Sequence, residues 1–190
     1  MTIETAHAQI IEQFKLNSDQ QTKESITKAV PQFDGIYSVR MPVIVDLAKQ
    51  YRDQGFALIE LLWKSGTYAE RMLAAKLLGF NCRKDPQLSL RLIQEYSFQV
   101  DSWALCDSLC SEGIRPVVKK HGPQLKEIAI GFLGSQRMWT RRMGIVLLIH
   151  FAKMPDHKEE VRGLISPLRS DPEHYIKKAI TWIDRYLNKS

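Results

Sequence analysis

Cysteine is scarce in this chain, which has Cys82, Cys106 and Cys110 among its 190 residues. Three thiols cannot all pair with one another, so the chain cannot be a disulfide-based scaffold. Cys106 and Cys110 are four residues apart but lack the further His or Cys ligands of a zinc site. We therefore expect three buried free thiols and no metal.

Long apolar runs are also missing. The sequence contains no stretch of about 18 consecutive apolar residues, the minimum for a membrane-spanning helix. Its N-terminal residues, Met-Thr-Ile-Glu-Thr-Ala-His, lack the basic segment and apolar core of a signal peptide. These absences predict a protein of the bacterial cytoplasm, where the nucleoid lies. The chain has no Gly-rich phosphate loop or cofactor motif, so we expect no cofactor.

Positive charge is present but unevenly distributed. The chain carries a formal net charge of +6, and the segment from Arg115 to Arg142 holds seven cations against a single anion, Glu127. The rest of the chain is therefore close to neutral. Such a local excess permits a polyanionic partner such as a nucleic acid, although charge alone does not identify it.

Apolar residues recur at helical spacing almost throughout, and no alternating β-branched run bounded by hairpin turns interrupts them. The pattern predicts an all-α protein of about a dozen short helices joined by short loops. The main predicted helices cover residues 3–16, 18–30, 41–55, 56–63, 68–80, 86–96, 100–110, 124–133, 137–153, 156–168 and 172–187.

Several residues are expected to serve the fold alone. Ser18 is the predicted N-cap of the second helix, and Phe80 is expected beside Leu77 on a buried helix face. Trp63 ends an apolar helix and is expected in the core. His150 lies on the apolar face of its helix, which favours a hydrogen-bonded core histidine over a ligand.

An internal repeat indicates how the helices are arranged. Tyr68–Arg71, Trp139–Arg142 and Tyr175–Lys178 each place an aromatic residue three positions before a cation at the start of a helix. With Asp107 in the same register, the intervals are 36, 35 and 36 residues. A period of this length with two helices per unit is typical of HEAT-class solenoids. We predict one domain, residues 1–190, forming a right-handed α-solenoid of HEAT-like helical hairpins with a concave face.

Equivalent positions of stacked repeats share one face, so Arg71, Asp107, Arg142 and Lys178 are expected to form a ladder. A row of cations beside aromatic rings suits a phosphate backbone and would bind it with little sequence preference. The same pattern is also common in packing, where the aromatic ring is buried and the charge reaches solvent. Asp107 is the one carboxylate in this ladder.

Trp103 and Asp107 form the candidate active centre. They are four residues apart on a predicted helix and therefore share one face. Flanking arginines are expected to lower the pKa of Asp107 and keep it ionised, which suits an electrostatic stabiliser or a water-orienting group. The alternative is a structural salt bridge from Asp107 to Arg71 or Arg142.

At these residues the chain resembles the bacterial AlkD-type DNA glycosylases, HEAT-like-repeat proteins that excise alkylated purines. The resemblance rests on Trp103-x-x-x-Asp107, on Trp139-x-x-Arg142, on the run from Lys177 to Trp182 and on the helix-opening segment from Ser38 to Lys49. It covers roughly residues 39–187. No single one of these motifs is specific, but their order and separations are.

The resemblance implies a monofunctional, cofactor-free DNA glycosylase. Its substrate would be duplex DNA with a purine alkylated at N3 or N7, whose positive charge makes the base a good leaving group. The catalytic carboxylate would be Asp107, and Trp103 and Trp182 would face the sugar. Arg142 would hold a backbone phosphate. Arg141 is the alternative for this role, but the repeat register selects Arg142.

The resemblance and the repeat together give a set of expected DNA contacts and two alternatives. A monomer binding DNA without metal or membrane is expected. The first alternative is a non-catalytic HEAT-repeat module for damaged, bent or branched DNA, which would bind without releasing a base. The second is a protein-interaction scaffold with an exposed apolar groove and negligible DNA affinity. The expected DNA-binding residues are Arg71, Arg141, Arg142, Lys177 and Lys178.

Overall fold

Eleven α-helices make up most of residues 1–189, the part of the chain that the computed structural model describes. Within these residues there is no β-strand, and one isolated bridge joins Ser18 to Val39. The predicted all-α class is confirmed. The chain divides into two compact units, Met1–Asp85 and the part that begins at Pro86. The right-handed solenoid and the single-domain organisation stay predictions.

The first unit contains five α-helices and one short 3₁₀ turn. Helix α5 packs against α3 and α4, and α1 packs against α4, which places α4 and α5 at the centre of this unit. The helices are α1 (Ile3–Leu16), α2 (Gln20–Ala29), α3 (Met41–Gln50), α4 (Gly55–Ser65) and α5 (Tyr68–Asn81), and the 3₁₀ turn is Arg52–Gln54.

Helix α2 begins one residue later than predicted. Asp19, not Ser18, is its N-cap, because the Asp19 Oδ1 atom accepts a 2.7 Å hydrogen bond from the Thr22 amide. The Ser18 hydroxyl instead donates to the Phe14 carbonyl at 2.6 Å and accepts from the Ser38 amide at 3.0 Å. Ser18 therefore ties α1 to the connector before α3.

The buried face of α5 also differs from the prediction. Leu73 and Leu77 are buried, but Phe80 is 45% exposed. The buried stripe continues instead to Asn81, four residues after Leu77, and the Asn81 side chain donates to the Arg52 carbonyl at 2.9 Å. Trp63 on α4 is buried as expected.

The second unit is built around α9. This helix packs against α7, α8, α10 and α11, and every residue from Arg142 to Ala152 is buried. The predicted amphipathic helix is therefore a core helix that is covered on all sides. The helices of this unit are α6 (Pro86–Ser97), α7 (Trp103–Ser108), α8 (Val118–Leu133), α9 (Met138–Ala152), α10 (Lys158–Ile165) and α11 (His174–Leu187).

Helix α8 starts earlier than predicted and contains a kink. His121 has non-helical φ and ψ of −120° and 24°, and Pro123 follows two residues later. Proline has no amide hydrogen to donate to the preceding turn and its ring crowds that turn, so the helix bends there. The sequence prediction began only at residue 124 and missed the turn that precedes the bend.

The α8 and α9 backbones approach closely at Gly144. A Cβ atom at this position would lie 2.8 Å from the Ala129 carbonyl oxygen and 3.0 Å from the Leu133 amide nitrogen, both backbone atoms of α8. A glycine is needed here because even one methyl group would separate the two helices. This contact sets the distance between α8 and the helix that carries Arg142.

Candidate active site

Helix α7 presents Trp103 and Asp107. The Ser102 hydroxyl caps the helix by accepting from the Leu105 amide at 3.4 Å, so Trp103 is the first helical residue and Asp107 lies one turn later. After Ser108 the chain widens into a π-helical turn, Leu109–Gly113. Such turns are rare and often occur at functional sites.

A two-oxygen ion pair joins Asp107 to Arg142 of α9. The Arg142 Nη2 atom donates to Asp107 Oδ1 at 2.8 Å and to Oδ2 at 2.9 Å, and Nε donates to Oδ1 at 3.3 Å. Charge-assisted bonds of this kind are stronger and more directional than neutral ones. The salt bridge that the sequence offered as an alternative is therefore present.

The two partners differ in burial. The Arg142 side chain is 5% exposed, whereas that of Asp107 is 22% exposed. Arg142 thus holds the Asp107 carboxyl group, while part of the Asp107 side chain remains accessible. A ligand would reach this side chain more readily than the buried arginine.

Burial raises the pKa of the Asp107 carboxyl above its ordinary value of 3.8. The positive charge and hydrogen bonds of Arg142 act in the opposite direction but do not outweigh the loss of solvation. The expected net lowering of this pKa was wrong, although Arg142 acts in the expected direction. The sequence could not show how far the carboxylate is removed from water.

Arg142 is anchored on its other side by α11. Its Nη1 atom donates to the Tyr175 carbonyl oxygen at 2.7 Å. The Tyr175 ring lies 4.8 Å from the Trp139 ring at an interplanar angle of 42°, and the Lys178 ammonium lies 5.9 Å from the Tyr175 ring centre. The repeat register singled out these aromatic residues, but it did not indicate that a backbone carbonyl would orient the arginine.

Arg142 is therefore placed differently from the sequence-based expectation. All three of its guanidinium nitrogens donate within the second unit, to Asp107 or to Tyr175. A phosphate contact is hard to reconcile with a side chain that is buried and already hydrogen-bonded. The geometry favours a positioning role for this residue.

The two tryptophans expected at the sugar are both half-buried. Trp103 lies on α7, one turn before Asp107, and Trp182 lies on α11. Trp182 is seven residues after Tyr175, so the two share one face of α11. Their convergence with Asp107 on a substrate stays a prediction.

The expected DNA-binding residues fall into two kinds in the second unit. Arg141 is 16% exposed, pairs with Asp171 at 3.0 Å and donates to the carbonyls of Ser135 and Gln136, so it braces loops. Lys177 and Lys178 are exposed on α11. In the first unit, the Arg71 guanidinium lies 5.5 Å from the Trp63 ring centre, a cation–π geometry.

Two further expectations about buried residues are confirmed. The three cysteines are buried free thiols, and burial raises the pKa of Cys82 to about 11. His150 donates from Nε2 to the Cys110 carbonyl at 2.6 Å, and burial lowers its pKa. Cys110 and His150 thus belong to the structural support beneath α7.

Residues 1–189 contain no group of three or more His, Cys, Asp or Glu side chains placed to hold a metal ion. Among the same residues, no helix is long and apolar enough to cross a membrane.

These features define a helical protein with a partly exposed acidic residue held by a buried arginine. Comparison with known families identifies it further. The model of the DNA alkylation repair enzyme family matches residues 10–189, so the chain belongs to that family. The family assignment made from the tryptophan, aspartate and arginine motifs is confirmed, and a role in DNA repair follows from it. Searches of curated proteins and of solved structures gave no match.

Proposed function

We propose that the protein is a monofunctional DNA glycosylase that hydrolyses the N-glycosidic bond of purines alkylated at N3 or N7 in duplex DNA. The observation that carries the proposal is the partly exposed Asp107 side chain, whose two carboxylate oxygens both accept hydrogen bonds from Arg142. Membership of a DNA alkylation repair family supports alkylated DNA as the substrate. We place this activity in the cytoplasm and assign it no cofactor.

The proposed chemistry needs little help for the leaving group, because an N3- or N7-alkylated purine already carries positive charge. The barrier lies in building oxocarbenium character on the deoxyribose. An ionised Asp107 would stabilise that charge and align a water molecule for attack on C1′. No strong general acid is required.

Trp103 and Trp182 would favour the cationic lesion in this scheme. An indole face attracts a cation by about 1 kcal/mol or more when water is excluded. The half-buried state of both side chains leaves them able to contact a ligand.

Arg142 would act through Asp107 in place of the phosphate contact expected from the sequence. Its bonds to both carboxylate oxygens fix the direction of the carboxyl group. Its charge also opposes the effect of burial and so favours the ionised form that the mechanism uses. Contacts to the DNA backbone would then fall to exposed cations such as Lys177 and Lys178.

Replacing Asp107 with Asn tests the proposal. We expect release of 7-methylguanine or 3-methyladenine from methylated duplex DNA to fall by about a hundredfold or more, since the charge that stabilises the transition state is lost. DNA binding should change little. The measurement is single-turnover base release by chromatography, with binding followed in parallel.

Asp184→Asn is the matched control. Asp184 also forms a two-oxygen pair with an arginine, Arg169, at 2.7 and 3.0 Å, and its side chain is 25% exposed. We expect it to keep nearly full base release. Equal loss in both variants, or unchanged release by Asp107→Asn, would overturn the catalytic assignment.

Folding must be measured beside activity because Asp107→Asn leaves the buried Arg142 charge without its anion. Breaking a buried pair costs about 3–5 kcal/mol in favourable geometries. Release is therefore compared at a temperature where circular dichroism shows wild type and both variants to be folded.

The Asp107–Arg142 salt bridge also favours a second candidate function, DNA binding without base excision. Both carboxylate oxygens are already engaged, as in a purely structural salt bridge. A DNA-binding module without excision would use the same exposed cations and bind damaged, bent or branched DNA. It predicts no base release by the wild-type protein from any methylated duplex, together with salt-sensitive binding.

A further inference from the structure

A groove of about 840 Å³ lies near the end of α9 opposite to Arg142. It runs beside the kink of α8 and is closed by the C-terminal end of α9 and the turn Pro155–His157. His150, in its lining, is eight residues beyond Arg142, or roughly 12 Å along the helix axis. The groove is thus separate from the candidate active site.

The walls of the groove are mainly apolar. Ile130 and Met154 are 41% and 38% exposed and line it with Val118, Pro123 and Phe151. The kink brings Gly122 beside Phe151, where a Cβ atom would lie 3.5 Å from the ring. Large exposed apolar side chains gathered in one concavity are typical of a binding surface.

The rim of the groove is basic. Arg115 and Lys119 are exposed, and the side chain of neither forms a hydrogen bond or ion pair with residues 1–189. Lys153 is exposed with its ammonium 4.7 Å from the Tyr186 ring centre. All three cations belong to residues that line the groove.

The carboxylates in the lining reduce this charge only in part. Glu160 is engaged by Lys126 at 2.6 Å and lies 3.3 Å from His157. Glu127 is the other carboxylate of the lining. Cations therefore outnumber anions among the side chains that a ligand would meet, so the complementary ligand is acidic.

We propose that this groove docks a short acidic segment of another protein, with one or two bulky apolar side chains placed against Phe151, Ile130 and Met154. The apolar wall decides between a protein segment and a nucleic acid. Phosphate and sugar groups gain little from aliphatic side chains, whereas an amphipathic peptide gains from both wall and rim. The docking surface would recruit the protein to a partner without using Asp107.

The test uses four fluorescent probes on the full chain. The first probe, the acidic apolar peptide, has about twelve residues, with leucine and phenylalanine at helical spacing among acidic residues. In the second, serine replaces the leucine and phenylalanine residues, and in the third, glutamine replaces the acidic residues. The fourth is a short unmodified DNA duplex. We expect saturable binding of the acidic apolar peptide, and at least about tenfold weaker binding at the groove of the other two peptides and of the DNA duplex. Backbone amide shifts should change around Phe151 and Lys119.

Charge reversal locates the binding. Lys119→Glu combined with Arg115→Glu should lower the affinity for the acidic apolar peptide by about tenfold or more, because two attractive charges become repulsive ones. Lys120→Glu is the matched control, because Lys120 is an exposed neighbour on α8 that does not line the groove. It should reduce affinity by only about twofold, the size of a screened long-range effect.

The remaining outcomes would overturn the proposal. They are no binding of the acidic apolar peptide, equal binding of its serine version, tighter binding of the DNA duplex at the groove, or equal loss in Lys120→Glu. Asp107→Asn should leave peptide affinity unchanged, so the docking site and the glycosylase activity can fail independently.

Discussion

Two opposing effects act on the pKa of the Asp107 carboxyl group. Partial burial favours its neutral form, and the arginine that holds it favours the charged form. The proposed chemistry uses the charged form. The balance between these effects therefore sets the pH below which the protein would lose activity.

The direction of the Asp107 pKa shift can be measured. Because its pKa is raised, the carboxyl should take up a proton above the ordinary value of 3.8, and base release should fall as the pH drops through that higher value. Carboxyl ¹³C NMR, assigned with Asp107→Asn, gives the titration directly. A titration at or below 3.8 would contradict the expectation.

His150 makes stability depend on pH. Its folded-state pKa lies below the ordinary 6.5, so the unfolded chain binds a proton that the folded chain refuses. The free energy of unfolding should therefore fall as the pH drops below 6.5, by at most about 1.4 kcal/mol per pH unit from this residue. Urea unfolding at about pH 7.5 and about pH 5.5 measures it.

The control for this effect is His150→Gln. Glutamine does not titrate but keeps an N–H donor for the Cys110 carbonyl. The variant should lose less stability on acidification than the wild type. An identical loss in both proteins would show that other groups are responsible.

At the scale of elements, α8 and α9 meet at a contact that only glycine permits. Gly144→Ala should lower the free energy of unfolding by about 1–3 kcal/mol, because the new methyl group meets backbone atoms that cannot move aside. Urea or thermal unfolding with full transition curves gives the difference.

Gly131→Ala serves as its control. Gly131 lies on α8, where a Cβ atom would meet nothing within 4 Å. This variant should be neutral or more stable by up to about 1 kcal/mol, since alanine favours the helix. If Gly144→Ala were as stable as Gly131→Ala, the close approach of the two helices would be wrong.

The same scale shows what the sequence could predict. The start of α3 at Met41 was predictable because Pro42 is favoured in a first turn. The first turn of α8 was missed because Gly122 and Pro123 read as a helix boundary, although the chain is helical on both sides of them. The full burial of α9 was missed because it depends on four neighbouring helices and not on the pattern of α9 itself.

The candidate site was also predictable only in part, because the repeat pattern of the sequence shows some of its contacts and not others. The repeat interval aligned Asp107 with Arg142, and the structure joins them. The sequence placed Arg141 among DNA contacts because its partner, Asp171, lies 30 residues away in a loop outside any repeat pattern. Hydrogen bonds to backbone atoms, such as the one that the Tyr175 carbonyl accepts, cannot be predicted from residue identity.

At the scale of the whole molecule, counting cations overstates the charge available to a partner. Of the seven cations between Arg115 and Arg142, Lys126, Arg141 and Arg142 already form ion pairs within the second unit. The others are exposed, as are Lys177 and Lys178 on α11. DNA affinity should depend on exposed cations and not on the paired ones.

Salt dependence separates these classes. Lys177→Ala combined with Lys178→Ala should reduce the slope of log affinity against log salt by about 2, because about 0.9 counterion is released per phosphate neutralised. Arg141→Gln should leave the slope nearly unchanged since Arg141 is tied to Asp171. Fluorescence anisotropy over a range of salt gives both values. If only Arg141→Gln reduced the slope, Arg141 and not the two lysines would be the DNA contact.

The arginine behind Asp107 also constrains when the site can form. Arg142 bonds to residues 35 positions before it and 33 positions after it in the chain. Contacts so distant in sequence form late in folding because long loops must close first. During synthesis from the N-terminus, α7 and α9 can be complete before α11 supplies the Tyr175 carbonyl. The orientation of the carboxyl group is thus complete only after α11 has been synthesised.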